Sequence, residues 1–159
     1  LRTKTPRKPP SGLWDPPIDP PERDVAPARL DREAFIRLVQ ESIDSLPQKF
    51  RQLLENIAVL VEDFPSPETM RDMGLRSPYQ LFGLYHGIPL DKRGSYYGNV
   101  PPDVVVIYQK PIERACATEE QIREQVQDTV IHEVGHFFGF GEAELREVER
   151  ERRRRRNPT

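Results

Sequence analysis

Residues 132 to 142 read His-Glu-Val-Gly-His-Phe-Phe-Gly-Phe-Gly-Glu, and the first five form the pattern HExxH. On a helix turning 100° per residue, His132 and His136 point about 40° apart, with Glu133 inside the same ~100° arc. Both imidazoles can therefore reach one metal ion. Glu133, adjacent to His132, is poorly placed as a further ligand but can reach a water held by that ion, which is the position of a general base. A catalytic zinc takes three protein ligands and keeps one position open. Gly139 shows where the third ligand comes from. A glycine three residues after the second histidine can adopt positive φ, end the helix and return the chain so that Glu142 meets the metal, with Gly141 keeping the return sterically light. The ligand set is then His132, His136 and Glu142. The expected chemistry is hydrolysis: a carbonyl polarised by zinc, a water deprotonated by Glu133, and the proton passed on to the leaving amine.

From average residue frequencies, HExxH arises by chance in on the order of 0.5% of chains this long, and the later glycine and carboxylate lower this about a hundredfold. The elements around the motif suit it. Thr118 and Gln121 have capping-box spacing, and Ile122, Val126, Val130, Val134 and Phe137 form one apolar stripe, so a helix is expected from Thr118 to Gly139. Phe35, Leu38, Val39, Ile43 and Leu46 predict a second long helix, capped by Asp31 and closed before Pro47. A shorter helical piece from Phe50 to Asn56 leads into the apolar run 57–64, read as a buried strand, and the run 103–110 is a second strand. Ser66-Pro67 and Ser77-Pro78 each look like a cap followed by first-turn proline, with Gly74 and Gly87 as stops. Residues 88–102 read as a long ordered loop.

The motif and the segments before it, Leu84 to Leu90, Val106-Ile107-Tyr108 and His132 to Leu145, resemble the minimal zincin-like metallopeptidases, small bacterial proteins with HExxHxxGxx followed by Asp or Glu. That resemblance implies an α+β, reduced zincin-like fold, with a small β-sheet packed on two main helices. It also implies peptide-bond hydrolysis, with a peptide or protein substrate and Zn²⁺ as cofactor. The metzincin pattern is similar too, but it usually has His where this chain has Glu142, and it places a methionine turn downstream, whereas Met70 and Met73 lie upstream. A third ligand from a helix well after the motif, as in gluzincins, has little room because only 23 residues follow His136.

Three regions are expected: a Pro-rich arm over 1–30, a domain over 31–147 and a charged, Arg-rich tail over 148–159. The arm holds eight of the 17 prolines and reads as disordered or polyproline-like. The tail contains five consecutive arginines, Arg152 to Arg156, and reads as a solvated charge run. Lys plus Arg total 24 against 26 Asp plus Glu, a net charge of −2 that argues against a dedicated nucleic-acid-binding domain. No run is long and apolar enough to span a membrane, and a cytoplasmic protein is expected. The single Cys116 excludes a thiolate zinc cluster and reads as a passive buried thiol. Tyr85, Tyr96, Tyr97 and His86 are candidate oxyanion donors by their loop or helix-end placement alone, and ordinary packing is the simpler reading of each. No substrate pocket can be located. The competing functional reading is a non-enzymatic module in which zinc staples a small core and basic tails make the contacts; a carboxylate at Glu133 beside an open metal position has no purpose in that reading.

Overall fold

The computed structural model of the chain describes residues 28–89 and 103–157. The described chain is α+β. Helix α1 (Arg32–Asp44) starts where Asp31 accepts a hydrogen bond from the Ala34 amide, and buries Phe35, Leu38 and Val39. Helix α2 (Gln48–Leu53) and a 3-10 turn (Leu54–Asn56) lead into strand β1 (Ala58–Glu62). Helix α3 (Pro67–Met73) is capped by Ser66 and ends at Gly74. A 3-10 turn (Pro78–Gln80), closed by a Ser77/Gln80 capping box, precedes strand β2 (Gly83–His86). Strand β3 (Val104–Tyr108) runs directly into helix α4 (Gln109–Ala115). Helix α5 (Glu119–Phe137) carries the HExxH segment, and helix α6 (Glu142–Arg156) follows it.

The sheet order is β1-β3-β2, with β1 parallel and β2 antiparallel to β3. Central β3 is buried on both faces. Val105 and Ile107 join Phe35, Leu38 and Val39 of α1 and Ile122, Val126, Val130, Val134 and Phe137 of α5 in the main core. Val106 and Tyr108 face the other way, onto Leu81 and Leu84, with Met73 and Leu75 packed beside them. The small sheet on two main helices is therefore as expected, and it fixes α5 by its apolar stripe so that the histidines face elsewhere.

Several local expectations are corrected. Strand β1 is an edge strand, not a buried one; Val59 and Val61 pack against the core, while Leu60 lies on the opposite face and is exposed. Gly87 ends no helix but follows β2, a strand too short to show period-2 alternation. Helix α4 begins at Gln109 and takes up the last two residues of the run 103–110, read as a strand. Pro111 is its third residue, where an amide would have no partner within the helix anyway. Ala28 and Leu30 are held to α4: the Ala28 amide donates to the Cys116 carbonyl, the Leu30 amide to Glu113, and Gln109 donates to the Leu30 carbonyl. At the other end, the expected boundary at residue 147 falls inside α6. The arginine run, read as a solvated tail, is the last turn and a half of that helix, with Arg153 to Arg155 exposed and Arg152 and Arg156 half-buried. Most of the predicted arm and of the 88–102 loop, with Tyr96 and Tyr97, lies outside the described residues.

Candidate metal centre

Helix α5 runs through the motif without a break and ends in a turn that sets up everything after it. The Gly139 amide donates to the His136 carbonyl and the Phe140 amide to the Gly135 carbonyl, the paired bonds of a Schellman motif. Gly139 has φ 87°, the left-handed conformation the spacing called for. The chain then reverses, and Glu142 becomes the first residue of α6, where the helix dipole favours a carboxylate. Gly141 contributes less than expected. Its φ is −78°, and a side chain there would meet nothing within 4 Å, so its smallness is not what permits the return.

This turn brings His132, His136 and Glu142 together as a group able to hold a metal ion, their ligand atoms all within 4.8 Å of one another. His132 Nε2 lies 3.1 Å from His136 Nε2, and Glu142 Oε1 lies 3.2 Å from His136 Nε2 and 3.6 Å from His132 Nε2. Tetrahedral ligation at ordinary zinc–nitrogen and zinc–oxygen distances requires edges of about 3.3 Å. The donor triangle already has that size. Its chemistry agrees, since Glu142 Oε1 is buried and accepts no hydrogen bond although two ring nitrogens face it. A cation at the centre would satisfy that oxygen. Glu144, two residues on, is exposed and outside the group.

Glu133 is 2% exposed and lies on the sheet side of α5. Burial pushes its carboxyl up to about 7; the neighbouring His132 and a hydrogen bond from the Tyr85 backbone amide oppose that rise, while Glu142 adds to it. Tyr85, on β2, thus contributes its main chain to the site, and its ring stacks edge-on against Phe137 at 5.9 Å. Its neighbour His86 is exposed at the end of β2 and takes no part in the donor group. Cys116 is buried at the end of α4.

One residue at the site was not anticipated. Glu149, on the second turn of α6, has Oε1 2.9 Å from His132 Nδ1. An ionised carboxylate only accepts, so Nδ1 carries the proton and Nε2 keeps its lone pair toward the donor triangle. For His132 itself, burial disfavours the charged form, but the Glu149 hydrogen bond together with the charges of Glu133, Glu142 and Glu149 outweighs it and raises the pKa. The contact depends on how α6 lies on α5. Leu145 sits over Gly135, where an added Cβ would come within 2.2 Å of Leu145 Cδ2. Farther along, Arg152 and Arg156 both reach the buried Asp128, and Arg156 also approaches Glu124 at 3.5 Å. Residues 142, 145, 149, 152 and 156 step by three and four, one face of a helix, and meet 136, 135, 132, 128 and 124 in reverse order. The available signal was that spacing, which places Glu149 on the Glu142 and Leu145 face.

Comparison with known proteins gives the class. Residues 54–152 match the zincin-like metallopeptidase family, and the chain belongs to it. It is also similar to the structure of a conserved hypothetical protein from Thermo thermophilus, at 24% identity and TM-score 0.45, over 65% of this chain and 90% of that one. No curated protein matches it.

Proposed function

We propose that the domain is a zinc-dependent peptidase that hydrolyses peptide bonds of a peptide or protein substrate, with His132, His136 and Glu142 as metal ligands and Glu133 as general base. The observation that carries this reading is a buried carboxyl, Glu133, standing next to a three-donor group without belonging to it. A structural zinc site is closed by four protein ligands, whereas the group here has three among the described residues. Zinc held there would supply Lewis-acid polarisation of a carbonyl and acidify water. Glu133 takes a proton from the attacking water on a carboxylate oxygen and delivers it to the departing amine nitrogen. The Tyr85 amide fixes that carboxylate, and the packing of β2 and α5 around it excludes bulk solvent. Family membership supports the reaction class. No helix among the described residues is long and apolar enough to cross a membrane.

The test is hydrolysis of unfolded polypeptides by the purified chain. Activity lost on chelation, restored by zinc and abolished in Glu133→Gln supports a peptidase. Zinc binding at one ion per chain with no hydrolysis of any polypeptide would favour the zinc-stapled module instead.

A further inference from the structure

We propose that Glu149 is a positioning residue for the metal site, and that α6, arginine run included, is the device that delivers it. The inference rests on His132 being a zinc ligand. A ligand imidazole works only if one ring nitrogen presents a lone pair and the ring plane is fixed, and both are set by what the other nitrogen bonds. His132 sits in the middle of α5 with 3% of its surface exposed, so water cannot do this. The structure gives the task to Glu149, whose side chain is 13% exposed and 17 residues away in sequence.

Glu149 reaches His132 because α6 is registered on α5 from both sides of the contact. Four residues before it, Leu145 fills the notch at Gly135; three and seven residues after it, Arg152 and Arg156 hold Asp128. A slip of one residue along α6 would turn Glu149 by about 100° away from His132. The close fit of Leu145 against Gly135 selects the register, and the two arginines on one buried carboxylate brace it. The matched family span runs through Glu149 and ends at Arg152.

An ordinary stabilising ion pair between His132 and Glu149 predicts different results. The experiment uses the full chain with Glu149→Ala and Glu149→Gln, zinc affinity measured by competition with a chromogenic chelator, and ¹⁵N shifts of the histidine rings read in the metal-free protein. Expected for Glu149→Ala is a 10–100-fold weaker zinc affinity, the scale of losing an outer-shell partner, and His132 no longer held as the Nδ1–H tautomer. Glu149→Gln, whose amide oxygen still accepts from Nδ1, should recover most of the affinity and the tautomer. A structural ion pair would lower the thermal stability of both variants and leave zinc affinity and tautomer as in the parent, which overturns the proposal. If the parent chain itself binds no zinc, the assignment of the metal ligands fails; the tautomer of His132 in the metal-free chain still decides whether Glu149 orients the ring.

Discussion

Helices α5 and α6 lie against each other and share one site, yet their sequences could hardly differ more. Helix α5 has ten buried residues and is locked by its apolar stripe into the core between α1 and the sheet. Helix α6 buries only Leu145 and ends in five arginines, so a single apolar side chain is all that its hydrophobic content contributes to anchoring it. It is held by a notch, a ring nitrogen and a buried carboxylate, all on α5. Burial gives α5 its place and geometry, whereas α6 is placed by a few specific contacts. Perturbations of the metal donors and the base should therefore abolish function outright, and perturbations of the contacts that seat α6 on α5 should grade it.

The largest effect is expected at the donors. His136→Ala should lose zinc well beyond the 10–100-fold scale of outer-shell partners and lose hydrolysis with it. Glu142→Ala should follow it, whereas Glu144→Ala, altering an exposed residue outside the donor group, should leave metal content unchanged. Metal analysis after zinc-replete purification reads both. Comparable loss in Glu144→Ala would show that the turn at Gly139 delivers a different carboxylate.

Next comes Glu133→Gln, which keeps size and helix fit but removes the oxygen that accepts a proton. Turnover should fall at least about a hundredfold, with zinc content held. Zinc loss as severe as in His136→Ala would place Glu133 among the ligands and remove the general base from the mechanism.

The residues behind these predictions stood in the sequence, because helix periodicity and a glycine turn are local and carry His132, Glu133, His136 and Glu142 to one point. What stayed hidden depends on partners distant in the chain. The run 57–64 is apolar enough for a central strand, but whether a second strand covers it is decided by β2 pairing on the far side of β3. Helix α4 was hidden because Pro111 reads as a break unless it is known to lie in a first turn. Glu149 and the arginines read as a solvated run because the ring nitrogen and the buried Asp128 that employ them belong to another helix.

Leu145→Ala probes the notch. Burial of a leucine this complete ordinarily costs about 2–5 kcal/mol on truncation. The low end, about 2–3 kcal/mol, is expected, because Leu145 borders a cavity shared with Phe138, Phe140 and Val148 into which neighbours can relax. Denaturant unfolding of the metal-free chain measures it. Zinc affinity should fall too, since α6 loses its register. An unfolding change under about 0.5 kcal/mol would mean that Leu145 adds little to seating the helix.

Asp128→Asn should give the smallest effect and bears most directly on how α6 is held. The carboxylate is 8% exposed while Arg152 and Arg156 are 31% and 25% exposed, so these pairs stand between buried and surface bridges. Arg156 keeps Glu124 as a second partner after the substitution, and the introduced amide oxygen can still accept a hydrogen bond from a guanidinium. A loss of up to about 1 kcal/mol is therefore expected, the upper range for solvent-screened pairs. If that loss acts only by loosening α6, it weakens zinc binding by up to about fivefold, the same free energy expressed as affinity. Zinc affinity of the parent should also decline as salt is raised, and that decline should flatten in Asp128→Asn because the screened interaction is gone. Equal salt dependence in parent and variant would show that the arginines do not register α6, leaving Leu145 and Glu149 as its only anchors on α5. A loss as large as that of Glu149→Ala would mean the reverse: the arginine pairs hold the helix, and the His132 contact forms only because they do.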